Sequence, residues 1–128
     1  MNLILDAHAF LWFIAGDDRL TANARAAIQN TNNQVFVSAA TLWEIAIKAS
    51  LGRLQLALPF EELITEQIRL NGFRLLSIAP QHLHIVASLP FHHRDPFDRL
   101  LVAQAIIEAL TIVSADSALD LYGVERLW

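Results

Sequence analysis

The stretch His92–Ala105, HHRDPFDRLLVAQA, decides how the rest of the chain is read. Asp95-Pro96-Phe97-Asp98 has the form of a helix start, with Asp95 as N-cap, Pro96 at the first helical position and Asp98 at the third. Leu100, Leu101, Ala103, Ala105 and Ile106 supply the apolar body of a helix running to about Ala109. An acid at a helix start accepts backbone N–H groups that have no partner inside the helix, and it suits the positive end of the helix dipole. That is a sufficient role for Asp95. Asp98 needs a further explanation, because acids at three other places in the chain are laid out to meet it.

Working outward, strands and helices alternate. Asn2–Leu5 is a short apolar run of the kind that forms a fully buried strand, and it stops at Asp6. His8–Ala15 (HAFLWFIA) is apolar almost all round, which predicts a helix buried in the core or in an interface. Thr21–Gln29 is a short helix with Thr21 as its cap. Val35–Val37 is a second strand, and Ser38 caps a helix over Ala39–Ser50 that stops at Gly52. Pro59 opens a helix to about Leu70, with Glu61, Glu62 and Glu66 on a solvated face. Phe73–Ile78 is a third strand, followed by a helix from Pro80 to about Ser88. Thr111–Val113 is a fourth strand ending in Ser114-Ala115-Asp116; a turn of helix over Ser117–Leu121 and an edge strand within Val124–Trp128 follow. This alternation predicts an α/β fold: one domain, residues 1–128, with a mostly parallel sheet and helices on both faces.

In such a sheet, ligands gather at the carboxyl ends of the strands. Asp6 and Asp116 sit at two of those ends. Asp98 lies in the first turn of its helix. Glu44 lies in the first half of the helix after the second strand, among Leu42, Trp43, Ile45, Ala46 and Ile47. Singly, each has an ordinary reading: Asp6 and Asp116 as helix caps, Glu44 as the partner of Lys48 four residues on. Together, four carboxylates on one edge repel and raise one another's pKa. A hard divalent cation relieves that, and an all-oxygen donor set suits Mg²⁺ or Mn²⁺. Such ions activate water against a phosphodiester. Lys48, His93, Arg94 and Arg99 are candidates to touch flanking phosphates. Arg99 equally fits a surface ion pair with Asp95 or with acids near Glu108. His92 and His93 read as loop residues before metal ligands, because the carboxylates already make a hard site.

Of the 128 residues, 55% are hydrophobic and 17% charged, and none is cysteine, which excludes disulfides, thiolate catalysis and soft-metal centres. The net charge of −4 argues against broad, sequence-blind duplex binding. It leaves a nuclease open, since bound cations bring positive charge to the phosphate. No apolar run reaches the ~18 residues of a membrane span, and no basic region precedes the apolar start. The expectation is a cytoplasmic protein with no membrane partner. The apolar surplus predicts cover by another chain, as a homodimer, a cognate partner or both, with His8–Ala15 and Trp43 as the covered surface.

Four segments carry a family resemblance: the N-terminal strand ending in Asp6, SAATLWEIAIK with Glu44, HHRDPFDRLLVAQA with Asp98, and TIVSADSAL with Asp116. The chain resembles PIN-domain ribonucleases, specifically the VapC-type toxins of bacterial toxin–antitoxin systems, over essentially its whole length. The resemblance implies an α/β/α sandwich, an endoribonuclease dependent on Mg²⁺ or Mn²⁺, an RNA substrate, and inhibition by a small cognate antitoxin. It also implies that Asp6, Glu44, Asp98 and Asp116 form the acidic metal and catalytic site, with Asp95 a fifth member to consider. Ala7 departs from the pattern, since many members have Thr or Ser after the first Asp.

Three other readings compete. A phospho-acceptor receiver domain needs a lysine after a late strand, and the one lysine here is Lys48. A haloacid-dehalogenase-type phosphatase needs an Asp two residues after Asp6, where His8 stands. A non-catalytic PIN-like module acting through protein partners would have no use for four clustered acids.

Overall fold

In the computed structural model, which describes residues 1–128, strand β1 (Asn2–Leu5) runs through the middle of the sheet with Leu3, Ile4 and Leu5 fully buried. It lies between β2 (Gln34–Ser38) and β4 (Thr111–Val113), with Leu5 level with Val37 on one side and Val113 on the other. Short strands β3 (Arg74–Leu76) and β5 (Arg126–Leu127) close the edges, in the order β3-β2-β1-β4-β5. Every pairing is parallel.

Side chains alternate across a strand, so β1 serves two cores. Leu3 and Leu5 face one layer, with Phe10, Ile45 and Phe73. Ile4 faces the other, with Leu101, Val102, Ile112 and Leu119. The first layer takes in helices α1 (Ala7–Ala15), α2 (Ala22–Gln29), α3 (Ala39–Ser50) and α4 (Phe60–Leu70). The second is built on α6 (Pro96–Glu108) and the 3₁₀ helix Ser117–Tyr122. Helix α5 (Pro80–Ser88) packs on α6 through His82, which is fully buried.

The element boundaries differ from the sequence expectation mainly at the sheet edges. The third strand has three residues, not the six of 73–78: Phe73 turns into the core against Phe10 and Phe13, and the Ser77 carbonyl is taken by the Gln104 amide. The last strand is confined to Arg126–Leu127. Helix α1, expected to be buried in the core or covered by a partner, is covered in part within the molecule, with Ala9 and Phe10 fully buried. Trp12 packs 5.9 Å from the Trp128 ring, and the Arg19 guanidinium lies 4.9 Å above it. Trp43 stays 58% exposed, with Phe97 edge-on to it at 5.3 Å. No helix is long and apolar enough to cross a membrane.

Candidate active site

The parallel register brings the carboxyl ends of β1 and β4 side by side. The Asp6 N–H continues the ladder onto the Val113 carbonyl at 3.2 Å. Next to it, α3 and α6 both begin on this edge, α3 capped by the Ser38 hydroxyl and α6 by Asp95. Between these two strand ends and two helix starts lies a cleft of about 340 Å³ lined by Asp6, Glu44, Lys48, His93, Asp95, Asp98 and Asp116, together with His8 and Trp12. All four acids singled out in the sequence therefore meet, together with the fifth.

Three of the acids are also helix caps, so the ordinary and the chemical readings coexist in one side chain. Asp6 accepts the Ala9 N–H on Oδ1 at 2.8 Å. Asp116 accepts the Ala118 N–H on Oδ1 at 3.0 Å. Asp95 accepts the Phe97 and Asp98 N–H groups on Oδ1 at 2.8 and 3.3 Å. In each case the cap hydrogen bonds fall on one oxygen, which fixes the carboxylate while its other oxygen takes no cap. Glu44 is not a cap. It is 5% exposed, and its Oε2 meets Lys48 Nζ at 2.6 Å along the helix. Lys48 thereby offsets the charge of one of the cleft's acids.

The electrostatics show a surplus of negative charge. Burial pushes the Asp98 carboxyl up to about 7, reinforced by the charges of Asp95, Asp6 and Glu44 and opposed by His93. Burial also raises Asp6; the Ser114 hydroxyl tempers that rise and accepts the Asp116 N–H at 3.1 Å. Ser114 is a site residue that the sequence reading passed over. Its only signal was a small polar residue between an apolar strand and its terminal acid.

His93 sits deeper in this cluster than a flanking phosphate contact. Its Nε2 is 2.7 Å from Asp116 Oδ2 and 3.3 Å from Asp98 Oδ2. Arg99 corrects the sequence reading outright. Its guanidinium is buried and donates to the Pro90, Val86 and Leu89 carbonyls at 2.8, 3.2 and 3.2 Å and to the Tyr122 hydroxyl at 3.3 Å, with the Phe91 ring 4.1 Å away. A buried guanidinium must satisfy its donors locally, so Arg99 pairs with neither Asp95 nor Glu108 and is not free to meet a phosphate. Arg94 is exposed and stands outside the cleft lining.

The PIN domain family model matches residues 3–125. The chain belongs to the PIN domain family. Ribonuclease VapC22 of Mycobacterium tuberculosis is 32% identical over 121 residues, covering 92% of this chain and 89% of that protein. Among solved structures, VapBC2 from Rickettsia felis bound to a DNA fragment from its promoter gives a TM-score of 0.73 at 14% identity, covering 98% of this chain and 97% of that one. VapBC-1 from nontypeable Haemophilus influenzae gives 0.66 at 14% identity, with 98% and 96% covered. At those identities the likeness establishes the fold, and the parallel five-stranded sheet flanked by helices matches it. The donor set of this PIN domain also fits a hard divalent cation. Its acids offer oxygen donors only, no cysteine is present, and burial reinforced by like charges lets one of them, Asp98, keep its proton to about 7.

Proposed function

We propose that this PIN domain is a Mg²⁺- or Mn²⁺-dependent endoribonuclease that acts as a toxin and is neutralised by a cognate antitoxin. The ribonuclease relative and the VapBC neighbours support that reading. The observation that carries it is the meeting of Asp6, Glu44, Asp95, Asp98 and Asp116 in one open cleft, where burial first and the charges of Asp95, Asp6 and Glu44 second push the Asp98 carboxyl up to about 7: a poor structural device and a good ion site.

Asp6, Glu44, Asp98 and Asp116 would hold the ion. Bound there, a divalent ion supplies Lewis acidity and charge neutralisation at the scissile phosphate, and it favours in-line attack by water. The chain's own residues do the rest. The caps on Asp6 and Asp116 fix those carboxylates before substrate arrives, so little reorganisation remains for the reaction step. Lys48 offsets the charge on Glu44. Asp95 holds the start of α6, and with it the position of Asp98. Exposed Arg94 extends the cleft's reach toward a flanking phosphate.

The test is cleavage of a mixed structured RNA set by antitoxin-free protein with Mg²⁺, Mn²⁺ or EDTA, run beside Asp98→Asn. Cleavage that needs the ion and disappears in the variant is the expected result. Equal cleavage by both proteins, or no Mn²⁺ binding by the wild type, would sink the reading; the second outcome would favour a non-catalytic partner module.

A further inference from the structure

We propose that His93 is a positioning residue of this site: it donates Nε2–H to Asp116, and more distantly to Asp98, and is not a ligand of the ion. The inference rests on the metallonuclease reading for its consequence, but not for its geometry. The nitrogen of His93 and the carboxylate oxygens of Asp98 and Asp116 lie within 4.8 Å of one another, an arrangement that invites a three-ligand metal site. The other ring nitrogen argues against it. Nδ1 accepts the backbone N–H of Asp95 at 3.0 Å, and a backbone N–H can only donate. The ring proton is therefore on Nε2, aimed at Asp116 Oδ2 at 2.7 Å. A ligating imidazole has the reverse arrangement, with a lone pair on the ligating nitrogen and the other N–H donating. To ligate through Nε2, His93 would have to place a proton on Nδ1 facing the Asp95 N–H.

The support behind the ring is equally specific. The backbone N–H of His93 donates to the Tyr122 hydroxyl at 3.0 Å. That hydroxyl donates to the Pro90 carbonyl at 2.8 Å and accepts from Arg99 at 3.3 Å, so its donor and both acceptor positions are in use. Arg99 in turn holds the carbonyls of Val86, Leu89 and Pro90. The buried arginine thus acts on the site through the loop that carries His93. Asp116 is the acid that needs this help. Its side chain is 41% exposed, against 7% for Glu44, so beyond the single cap hydrogen bond burial does little to hold it. One oxygen is held by the helix cap and the other by His93, which presents the remaining lone pairs in a set direction.

The test uses the full chain as wild type, His93→Ala and His93→Gln. In metal-free wild type, ¹⁵N NMR of the ring should show Nδ1 unprotonated and Nε2 protonated; the reverse pattern, or an average of the two, overturns the proposal. In Mn²⁺ titrations, His93→Ala should bind roughly 10–100-fold more weakly, the usual loss when a hydrogen-bond partner of a ligand is removed. His93→Gln should recover most of that, because its amide N–H reaches about as far as the ring Nε2–H. Pulsed EPR of the Mn²⁺-loaded wild type should show no directly coupled histidine nitrogen. A coupled nitrogen, an Ala variant that binds as wild type, or a Gln variant as weak as Ala would overturn the proposal. If the wild type binds no Mn²⁺, the metallonuclease reading fails, while the ring-nitrogen spectrum still decides whether His93 donates to Asp116.

Discussion

Two histidines in this molecule are wired alike and sit in different company. His82 accepts the Ala79 N–H on Nδ1 at 2.9 Å and turns Nε2 toward Glu108 at 3.0 Å. His93 accepts the Asp95 N–H on Nδ1 and turns Nε2 toward Asp116. In each case a backbone N–H fixes the ring and a carboxylate takes the other side. Around His82 there is one acid and the Gln104 amide, closed off between α5 and α6 with the imidazole fully buried. Around His93 there are two acids, in a cleft that also holds Asp6, Glu44 and Asp95. A histidine–carboxylate pair is thus no sign of a site by itself. The surplus of carboxylates, which adds to burial in raising the Asp98 pKa, sets the second place apart.

That contrast can be broken experimentally. His82→Ala removes a buried ring and leaves the Ala79 N–H without its acceptor, so it should lower stability by roughly 2–3 kcal/mol in urea unfolding. It should leave Mn²⁺ affinity unchanged. Loss of Mn²⁺ affinity in that variant would mean that the two histidines are not separable as described.

A second effect, of at least comparable size, follows from pH. Asp98 has a folded-state pKa of about 7 against an ordinary value of 3.8, so its ionisation opposes folding. The opposition is absent below about pH 4, grows up to about pH 7 and is complete above it. Metal-free protein should therefore lose stability from this group as pH rises through that window. Mn²⁺ must displace the Asp98 proton, so its affinity should rise by up to about tenfold per pH unit below 7 and level off above. An affinity flat between pH 5.5 and 8 would contradict the shifted carboxyl. Smaller than either, Tyr122→Phe keeps the aromatic ring but frees the His93 backbone. It should weaken Mn²⁺ binding by a few-fold, less than His93→Ala. Arg94→Ala should leave Mn²⁺ binding untouched and raise the KM for RNA slightly, more visibly at low salt, as for a single exposed phosphate contact.

The alternation of apolar strands with helices made the parallel sheet legible, and the sheet made the acid edge legible, because strand ends in a parallel sheet face one way. The short edge strands were harder to place. Phe73 and Ile78 have strand-like side chains, but hydrogen bonding at β3 stops at Leu76, where only one neighbour is available. The partners of Arg99 and His93 are illegible in the sequence for a common reason. Local sequence shows a basic residue beside acids; it does not show that three carbonyls from 86–90 fold back over one and that Asp116, 23 positions away, meets the other. Such partners are fixed by tertiary packing and leave no spacing signal.

The most direct test of whether the acid edge is an ion site and not a set of helix caps is thermal unfolding of EDTA-stripped wild type and Asp98→Asn, each with and without Mn²⁺, at pH 8. Asp98 is a first-turn acid that makes no cap itself, and its charge is held against burial and like neighbours. Wild type should therefore gain stability from Mn²⁺. The variant should be at least as stable as wild type in EDTA and gain nothing from the ion. A variant that is less stable in EDTA yet stabilised by Mn²⁺ as much as wild type would show that Asp98 serves the fold and not the ion.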